Sequence, residues 1–221
     1  MNKTVKEYFK SIRTITTKLI DEGFAVSINF PSQTHDSVSW SGNNNLTHVL
    51  KGQPYKDVYY KCLEQGQYNI KLLDHALIQI YYKFEGSSIV SHRLAYLPHP
   101  EFENLQQNPD DYEDIHYGNS LFSEMSNKMI ITTPMRFEYD VDEKKHIEFD
   151  HPKSHLTLGN YKNCRIAINK PLSPNKFILF ILRSFYLDKF KKHFNNDDFE
   201  CKFITNESIS NNEKNHFHFS H

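Results

Sequence analysis

The stretch LIQIYYKFEGSSIVSHRLAYL, residues 77–97, predicts two antiparallel strands joined by a tight turn. Its two halves, residues 77–84 and 89–97, are rich in the aliphatic and aromatic side chains that favour strands. The residues between them, 85–88, read EGSS, and the glycine tolerates the backbone conformations that tight hairpin turns require. This hairpin places an antiparallel sheet at the centre of the predicted fold.

Similar segments on both sides of the hairpin predict further strands. They cover residues 24–30, 68–73, 129–139, 146–149, 155–158 and 164–168, with residues 199–204 and 216–219 as final candidates. We expect Pro31 to end the first of these strands, and long loops to occupy residues 32–48 and 98–118. Pro134 marks its strand as an edge strand or a bulge, because proline cannot donate to a sheet ladder.

Two long helices are predicted at the two ends of this series of strands. Residues 5–22 show helical spacing of apolar side chains, and Gly23 follows where a helix commonly ends. Thr4 and Glu7 have the spacing of a capping box at the start of this helix. Residues 174–193 begin with a proline and form a second wide apolar face.

Together these elements predict one α+β domain over residues 1–221. An antiparallel, twisted sheet of about five to seven strands packs against the two long helices. A shorter helix is expected at residues 54–65, and residues 205–221 are expected to form a final strand or a frayed tail. The 13 Tyr and 17 Phe among the 221 residues supply enough large apolar surface for such a core.

Composition excludes several classes of function. The formal net charge of -1 gives no whole-molecule attraction to nucleic acid or anionic lipid. No apolar run approaches the roughly 20 residues that a membrane span needs, and we expect neither secretion nor membrane association. Cys62, Cys164 and Cys201 are scattered and are expected to be reduced thiols of a cytoplasmic protein. The seven glycines form no nucleotide-binding loop, so we expect no cofactor.

Three segments of the chain resemble a known family. They are LLDHALIQIYYKF (72–84) with SHRLAYLPHP (91–100), PMRFEYD (134–140) and HPKSHLTLGNYKNCRIAINKPLSPNKFILFILRSFY (151–186). Together they resemble the bacterial domain-of-unknown-function family numbered 2290 over nearly the whole chain. Residues 74–76 read DHA where we expect a small Gly-Ser turn in that family. The resemblance implies a bacterial accessory protein from mobile or defence-related gene neighbourhoods.

Three histidines, His146, His151 and His155, lie within ten residues of one another. Imidazole both takes and gives a proton near neutral pH, so two imidazoles suit the cleavage of RNA by its own 2′-hydroxyl. We expect His151 and His155 to be the acid–base pair and Arg165 to stabilise the charge of the phosphorane. Arg136 and His146 are second candidates. The pattern RFxYD followed by spaced histidines is similar to small bacterial toxins thought to act on RNA.

The charged residues are unevenly distributed along the chain. Residues 151–193 carry nine Lys or Arg residues against one Asp, whereas residues 101–114 carry six acidic residues and no basic one. A basic segment beside a histidine cluster fits a ligand that bears phosphate. We therefore expect Lys153, Lys162 and Lys170 to contact nucleic acid.

Other interpretations of the histidines remain open. Both imidazoles can simply fix a loop by bonding to the backbone. His155 and Thr157 resemble one half of the His-x-Thr signature of two-histidine phosphoesterases, whose other half would run from His218 to Ser220. Asp150 and its neighbouring histidines have ligand types that suit Zn²⁺ or Mn²⁺, although no metal-binding helix motif accompanies them and we assign no metal site.

The favoured function is that of a bacterial effector of the defence or toxin type that acts on nucleic acid as a metal-independent ribonuclease. The alternative is a non-catalytic subunit of a defence or stress complex that binds a partner protein encoded nearby. A polar pocket lined by His151, His155 and Arg165 favours the enzyme, and an exposed apolar patch favours the subunit. The sequence leaves the oligomeric state open.

Overall fold

The computed structural model describes residues 2–43, 53–100, 133–159, 164–200, 203 and 205–221. Its helices are α1 (Lys3–Asp21), α2 (Tyr55–Glu64), α3 (Pro174–Phe185), α4 (Leu187–His193) and α5 (Asn211–Lys214), with a 3₁₀ helix at Asn196–Phe199. Its strands are β1 (Ala25–Ile28), β2 (Pro31–Gln33), β3 (Ser37–Trp40), β4 (Ile70–Leu72), β5 (Leu77–Glu85), β6 (Ser88–Leu97), β7 (Met135–Asp140), β8 (Ser154–Leu158), β9 (Arg165–Ile168) and β10 (His218–Phe219). The predicted mixed α+β class is confirmed. None of the helices described here is long and apolar enough to cross a membrane.

The strands form one open sheet in the order β1-β4-β5-β6-β7-β8-β9-β10. Its pairs are antiparallel, except that β10 runs parallel to β9. The end of β5 also pairs with β3, which carries β2 on its other side. The predicted hairpin of β5 and β6 lies at the centre, and Gly86 in its turn has a φ of 55°, in the left-handed region that favours glycine.

The main core lies between one face of this sheet and helices α1 and α3. Its buried side chains from the sheet and the helices include Ile80, Leu94, Phe137, Ile12, Leu19 and Phe177. Helix α2 covers part of the opposite face, where it packs over Leu77, Ala95 and Leu97. The rest of that opposite face carries polar side chains of β6 to β9.

The sheet has ten strands rather than the predicted five to seven. Pro31 begins a strand instead of ending one, and residues 32–40 of the predicted loop 32–48 belong to the hairpin of β2 and β3. Residues 44–48 of that loop lie outside the described residues. Proline is tolerated there because β2 lies at an edge and pairs only with β3. Pro134 lies just before β7, a central strand between β6 and β8, so its missing N–H is outside the ladder and the predicted edge or bulge is wrong.

Two of the shorter predicted strands have a different structure. Residues 146–149 form a turn with one isolated bridge between Ile147 and His151. In the second, predicted over residues 199–204, Phe199 ends the 3₁₀ helix, and residues 201, 202 and 204 lie outside the described residues. Residues 129–132, which open another predicted strand, and residues 101–118 of the predicted second loop lie outside the described residues.

The first long helix runs over Lys3–Asp21, close to the prediction, and Gly23 after it has a φ of 71°. Its N-cap is Asn2, whose side-chain oxygen accepts a hydrogen bond from the backbone N–H of Thr4 at 3.0 Å. The predicted capping box of Thr4 and Glu7 is therefore wrong. Asn is as good a cap as Thr, and the helix starts two residues earlier than its apolar pattern indicates.

The second long helix, predicted over residues 174–193, is two helices that are separated at Tyr186. This residue leaves the helical conformation, with φ -131° and ψ 37°. Its hydroxyl donates to a carboxylate oxygen of Asp74 at 2.6 Å and accepts from the hydroxyl of Tyr96 at 2.8 Å. The break coincides with a tertiary contact between residues far apart in sequence, which helical periodicity does not reveal.

Asp74 lies in the turn between β4 and β5, where the family pattern predicts Gly-Ser. His75 adopts the left-handed backbone conformation in that turn, with a φ of 65°. The carboxylate of Asp74 is buried and also accepts the N–H of Ala76 at 3.1 Å. Burial raises the pKa of Asp74 to about 6, against the hydrogen bonds from Tyr186 and Ala76.

We expect this carboxyl group to make the stability of the protein depend on pH. Its pKa is higher in the folded chain, at about 6, than its ordinary value of 3.8, so the folded state binds the proton more tightly. The contribution of Asp74 to the free energy of unfolding is therefore fully present below about pH 4, and about 3 kcal/mol of it is lost as the pH rises through 6. Denaturant unfolding of wild type and Asp74→Asn between these pH values isolates this contribution. Equal pH profiles for the two proteins would contradict it.

Candidate functional site

Two rows of directly opposed residues cross strands β6 to β9 on the sheet face opposite the main core. Residues directly opposed in an antiparallel ladder point to the same face, and their side chains are neighbours. The first row is Arg93, Glu138 and His155, and the second row is Arg136, Thr157 and Arg165. We call these six side chains the arginine face.

Glu138 is the acidic group at the centre of the arginine face. Its carboxylate lies 3.9 Å from Nη1 of Arg93 and 3.7 Å from Nε2 of His155. Burial raises the pKa of Glu138, but the charges of His155, Arg93 and Arg136 outweigh this effect and hold the pKa well below its usual range. The carboxylate therefore stays ionised, and the face keeps an excess of positive charge from its three guanidinium groups.

The two predicted catalytic histidines lie side by side, with ring centroids 5.0 Å apart. Nδ1 of His155 is 2.7 Å from the carbonyl oxygen of Pro152, and Nδ1 of His151 bonds the carbonyl oxygen of Lys145. A carbonyl oxygen only accepts, so Nδ1 carries the hydrogen in both rings. The other nitrogen, Nε2, makes no hydrogen bond to any described residue in either histidine. Nε2 of the partly exposed His151 is thus open to proton transfer, whereas Nε2 of His155 is buried and faces the carboxylate of Glu138 at 3.7 Å.

The surroundings of His151 favour its neutral form. Burial lowers the pKa of His151, the bond to the Lys145 carbonyl opposes this, and the nearby charges of His155 and Arg165 lower the pKa further. His151 is only partly buried, so its neutral ring can take a proton from a ligand.

The arginine face contains several buried polar atoms that have no hydrogen-bond partner. They are Nε of Arg93, Nε of Arg136, Nε of Arg165, Nε2 of His155 and Oγ1 of Thr157. Native proteins pair more than nine in ten buried polar groups, because an unpaired one is costly. The guanidinium N–H groups among them are donors of the kind that pairs with anionic oxygens, such as those of a carboxylate or a phosphate.

The other predicted residues have different surroundings. Nε2 of His146 lies 3.3 Å from a carboxylate oxygen of Glu213 in α5, so this ring contacts the C-terminal segment instead of the histidine pair. Nζ of Lys153 bonds the carboxylate of Glu143. The backbone carbonyl of Lys170 accepts the hydroxyl of Ser154 at 3.2 Å. Lys162 lies outside the described residues.

The structure also bears on the two alternative sites. Ala167 on β9 lies between His155 on β8 and His218 on β10 in one row of the sheet. The two histidines of the phosphoesterase alternative are thus separated by one strand, about 10 Å at the usual spacing of strands. Within the described parts of the chain, no three His, Cys, Asp or Glu side chains form a group that could hold a metal ion.

Arg93 and Glu138 are residues of the arginine face that the sequence patterns did not single out, and Thr157 was considered only as part of a His-x-Thr signature. The alternation of polar and apolar side chains along the strands indicates which of these residues share a face of the sheet. In MRFEYD, residues 135–140, Arg136 and Glu138 alternate with apolar side chains, and in SHRLAYL Arg93 alternates with the core residues around it. What the sequence lacks is the register that places them beside His155.

The family described as "Uncharacterized conserved protein (DUF2290)" matches residues 21–221 of the chain. Searches of curated proteins and of solved structures found no significant match. The matched region contains the whole arginine face and both central histidines. The chain belongs to the DUF2290 family of uncharacterized conserved proteins, as the resemblance of its three segments predicts.

Proposed function

We propose that this protein is an effector of the bacterial defence or toxin type that cleaves RNA without a metal ion. The proposal is supported by the two imidazoles, which lie 5.0 Å apart. Neither Nε2 atom makes a hydrogen bond to a described residue, and His155 belongs to the arginine face while His151 lies beside it. One imidazole serves as the base and the other as the acid, while guanidinium groups hold the phosphate.

In the proposed reaction, Nε2 of His151 takes the proton of the ribose 2′-hydroxyl. The 2′-oxygen forms a bond to phosphorus while the bond from phosphorus to the 5′-oxygen breaks, and protonated His155 gives its proton to that 5′-oxygen. The products are a 2′,3′-cyclic phosphate and a 5′-hydroxyl. The carboxylate of Glu138, 3.7 Å from Nε2 of His155, is the counter-ion of the charged imidazole in this reaction.

Arg136 and Arg165 stabilise the negative charge that develops on the phosphorane in this reaction. Nη1 of Arg165 donates to the backbone carbonyl of Asp150 at 3.3 Å, which fixes the guanidinium next to His151. Nε of Arg136 is buried without a hydrogen-bond partner, and Arg136 lies in the same row of the sheet as Arg165, so the two guanidinium groups can act on one anion. Donors that are fixed in advance in a partly dry site stabilise developing charge most effectively.

A second candidate function is the non-catalytic subunit that binds a partner protein. His155 is only 3% exposed, and Nδ1 of both histidines bonds the backbone, as expected of rings that fix a loop. Ile147 and Phe149 in that loop are large exposed apolar side chains, which is the feature expected of a protein interface.

The test that separates the two candidates compares three oligonucleotides of one sequence: single-stranded RNA, its 2′-O-methyl form and DNA. In EDTA, we expect the wild-type protein to cleave the RNA and to leave the other two intact, because both lack the attacking hydroxyl. Cleavage of DNA, or activity that EDTA abolishes, would overturn the proposed mechanism. If all three strands stay intact even with divalent metals, the second candidate is favoured.

A further inference from the structure

A cleft of about 380 Å³ opens beside Arg165, between the loop after β7 and the C-terminal segment. Its walls are the aromatic rings of Phe149, His216 and Phe217, and its floor is formed by β9, including Arg165 and Ala167. The volume lies within the roughly 300–1,000 Å³ that is typical of small-ligand sites.

The aromatic walls of the cleft face solvent. The exposed fraction is 74% for Phe217 and 46% for Phe149, and the Phe149 ring meets the His216 ring edge to face at 4.7 Å. Exposed aromatic rings are the usual means by which proteins stack unpaired nucleobases.

The cleft is held in shape by buried polar contacts beneath it. Glu213 of α5 is buried, and its carboxylate accepts the N–H of Ser210 at 2.9 Å and the N–H of Phe149 at 3.4 Å. The hydroxyl of Ser210 donates to Glu148 at 2.7 Å, and His146 lies 3.3 Å from the same Glu213 carboxylate. The loop and the C-terminal segment are thus tied together, so the two walls form before a ligand arrives.

The floor of the cleft is continuous with the arginine face. Ala167 lies directly opposite His155, and Arg165 belongs to both surfaces. The cleft thus places aromatic rings next to guanidinium groups. A nucleotide matches this arrangement, because it has a flat base next to an anionic phosphate. We infer that this cleft stacks one nucleobase of single-stranded RNA beside the phosphate that the arginine face binds. The inference rests on the proposed function and adds to it a base-binding subsite.

The test measures the binding of a fluorescent 2′-O-methyl RNA strand, which cannot be cleaved through its 2′-oxygen. We expect Phe217→Ala to weaken binding about tenfold and Phe217→Trp to bind within about twofold of wild type, because the wider ring keeps the stack. The matched control is Phe30→Ala, since Phe30 is 53% exposed but lies outside the cleft. On a strand with abasic sites in place of its bases, Phe217→Ala is expected to bind like wild type.

Each outcome of this test bears on one of the two proposals. The base-binding subsite is overturned if Phe217→Ala and wild type bind the intact strand equally, or if wild type does not bind it. The exposed rings then fit the partner-protein surface of the second candidate. A tenfold loss of binding in Phe217→Ala together with a wild type that cleaves no RNA supports the subsite and overturns the ribonuclease.

Discussion

Replacing both His151 and His155 with Ala is expected to lower the rate of RNA cleavage by at least about 10²-fold. Each proton transfer by a positioned side chain accelerates a reaction roughly 10²–10⁴-fold. The two losses of rate do not simply multiply, because the two groups act as a unit. The measurement is the initial rate on a labelled single-stranded RNA in EDTA. His35→Ala is the matched control, since this histidine is largely exposed on the turn between β2 and β3.

The double variant must also remain folded for this result to count. His155 is buried, and its removal leaves the Pro152 carbonyl without the 2.7 Å contact, at a cost of about 1–3 kcal/mol. His151→Ala alone changes a partly exposed ring and is expected to keep the melting temperature close to that of wild type. If a folded His151→Ala protein cleaves RNA at the wild-type rate, His151 is not the base.

The second large effect is expected from Arg165. Arg165→Gln removes the positive charge that borders the histidine pair and faces the phosphate in the proposed complex. We expect the maximal rate of RNA cleavage to fall about 10²–10³-fold, which is the usual effect of losing one hydrogen-bond donor to a developing anion. Arg165→Lys keeps the charge but loses the planar fork, so partial recovery is expected. Single-turnover rates at saturating RNA measure this effect separately from binding.

The control for Arg165 is Arg13→Gln, which removes an arginine from the exposed side of α1 and alters net charge equally. We expect it to cleave RNA like wild type. A similar loss in both variants would show that overall charge, and not the position of Arg165, determines the rate. An unchanged maximal rate in Arg165→Gln would remove Arg165 from the proposed reaction.

The elements that the sequence predicts well are those whose signals are local. The hairpin of β5 and β6 carries its own turn glycine, Gly86, and α1 carries its own apolar stripe and terminal Gly23. The break at Tyr186 is different, because it coincides with a hydroxyl contact to Asp74, a residue more than one hundred positions earlier. The sequence does not reveal the hairpin that starts at Pro31. Proline is tolerated in a strand at the edge of a sheet, and local sequence does not show which strand lies at an edge.

The residues of the candidate site also differ in whether their proximity can be predicted from local sequence. His151 and His155 are close in sequence, and their proximity could be predicted from the chain alone. Arg93 and Glu138 come from strands far from them, and only the pairing register of β6, β7 and β8 brings them beside His155. A slip of one residue in that register would turn these side chains to the other face, so alternation without pairing does not locate them.

The most direct test of the central claim is the chemistry of the new RNA ends. Wild-type protein is incubated with single-stranded RNA in EDTA, and the fragments are weighed by mass spectrometry. We expect a 2′,3′-cyclic phosphate on one fragment and a 5′-hydroxyl on the other, both absent with the double His151→Ala/His155→Ala variant. Fragments with a 5′-phosphate and a 3′-hydroxyl, or cleavage that persists in that variant, would contradict it.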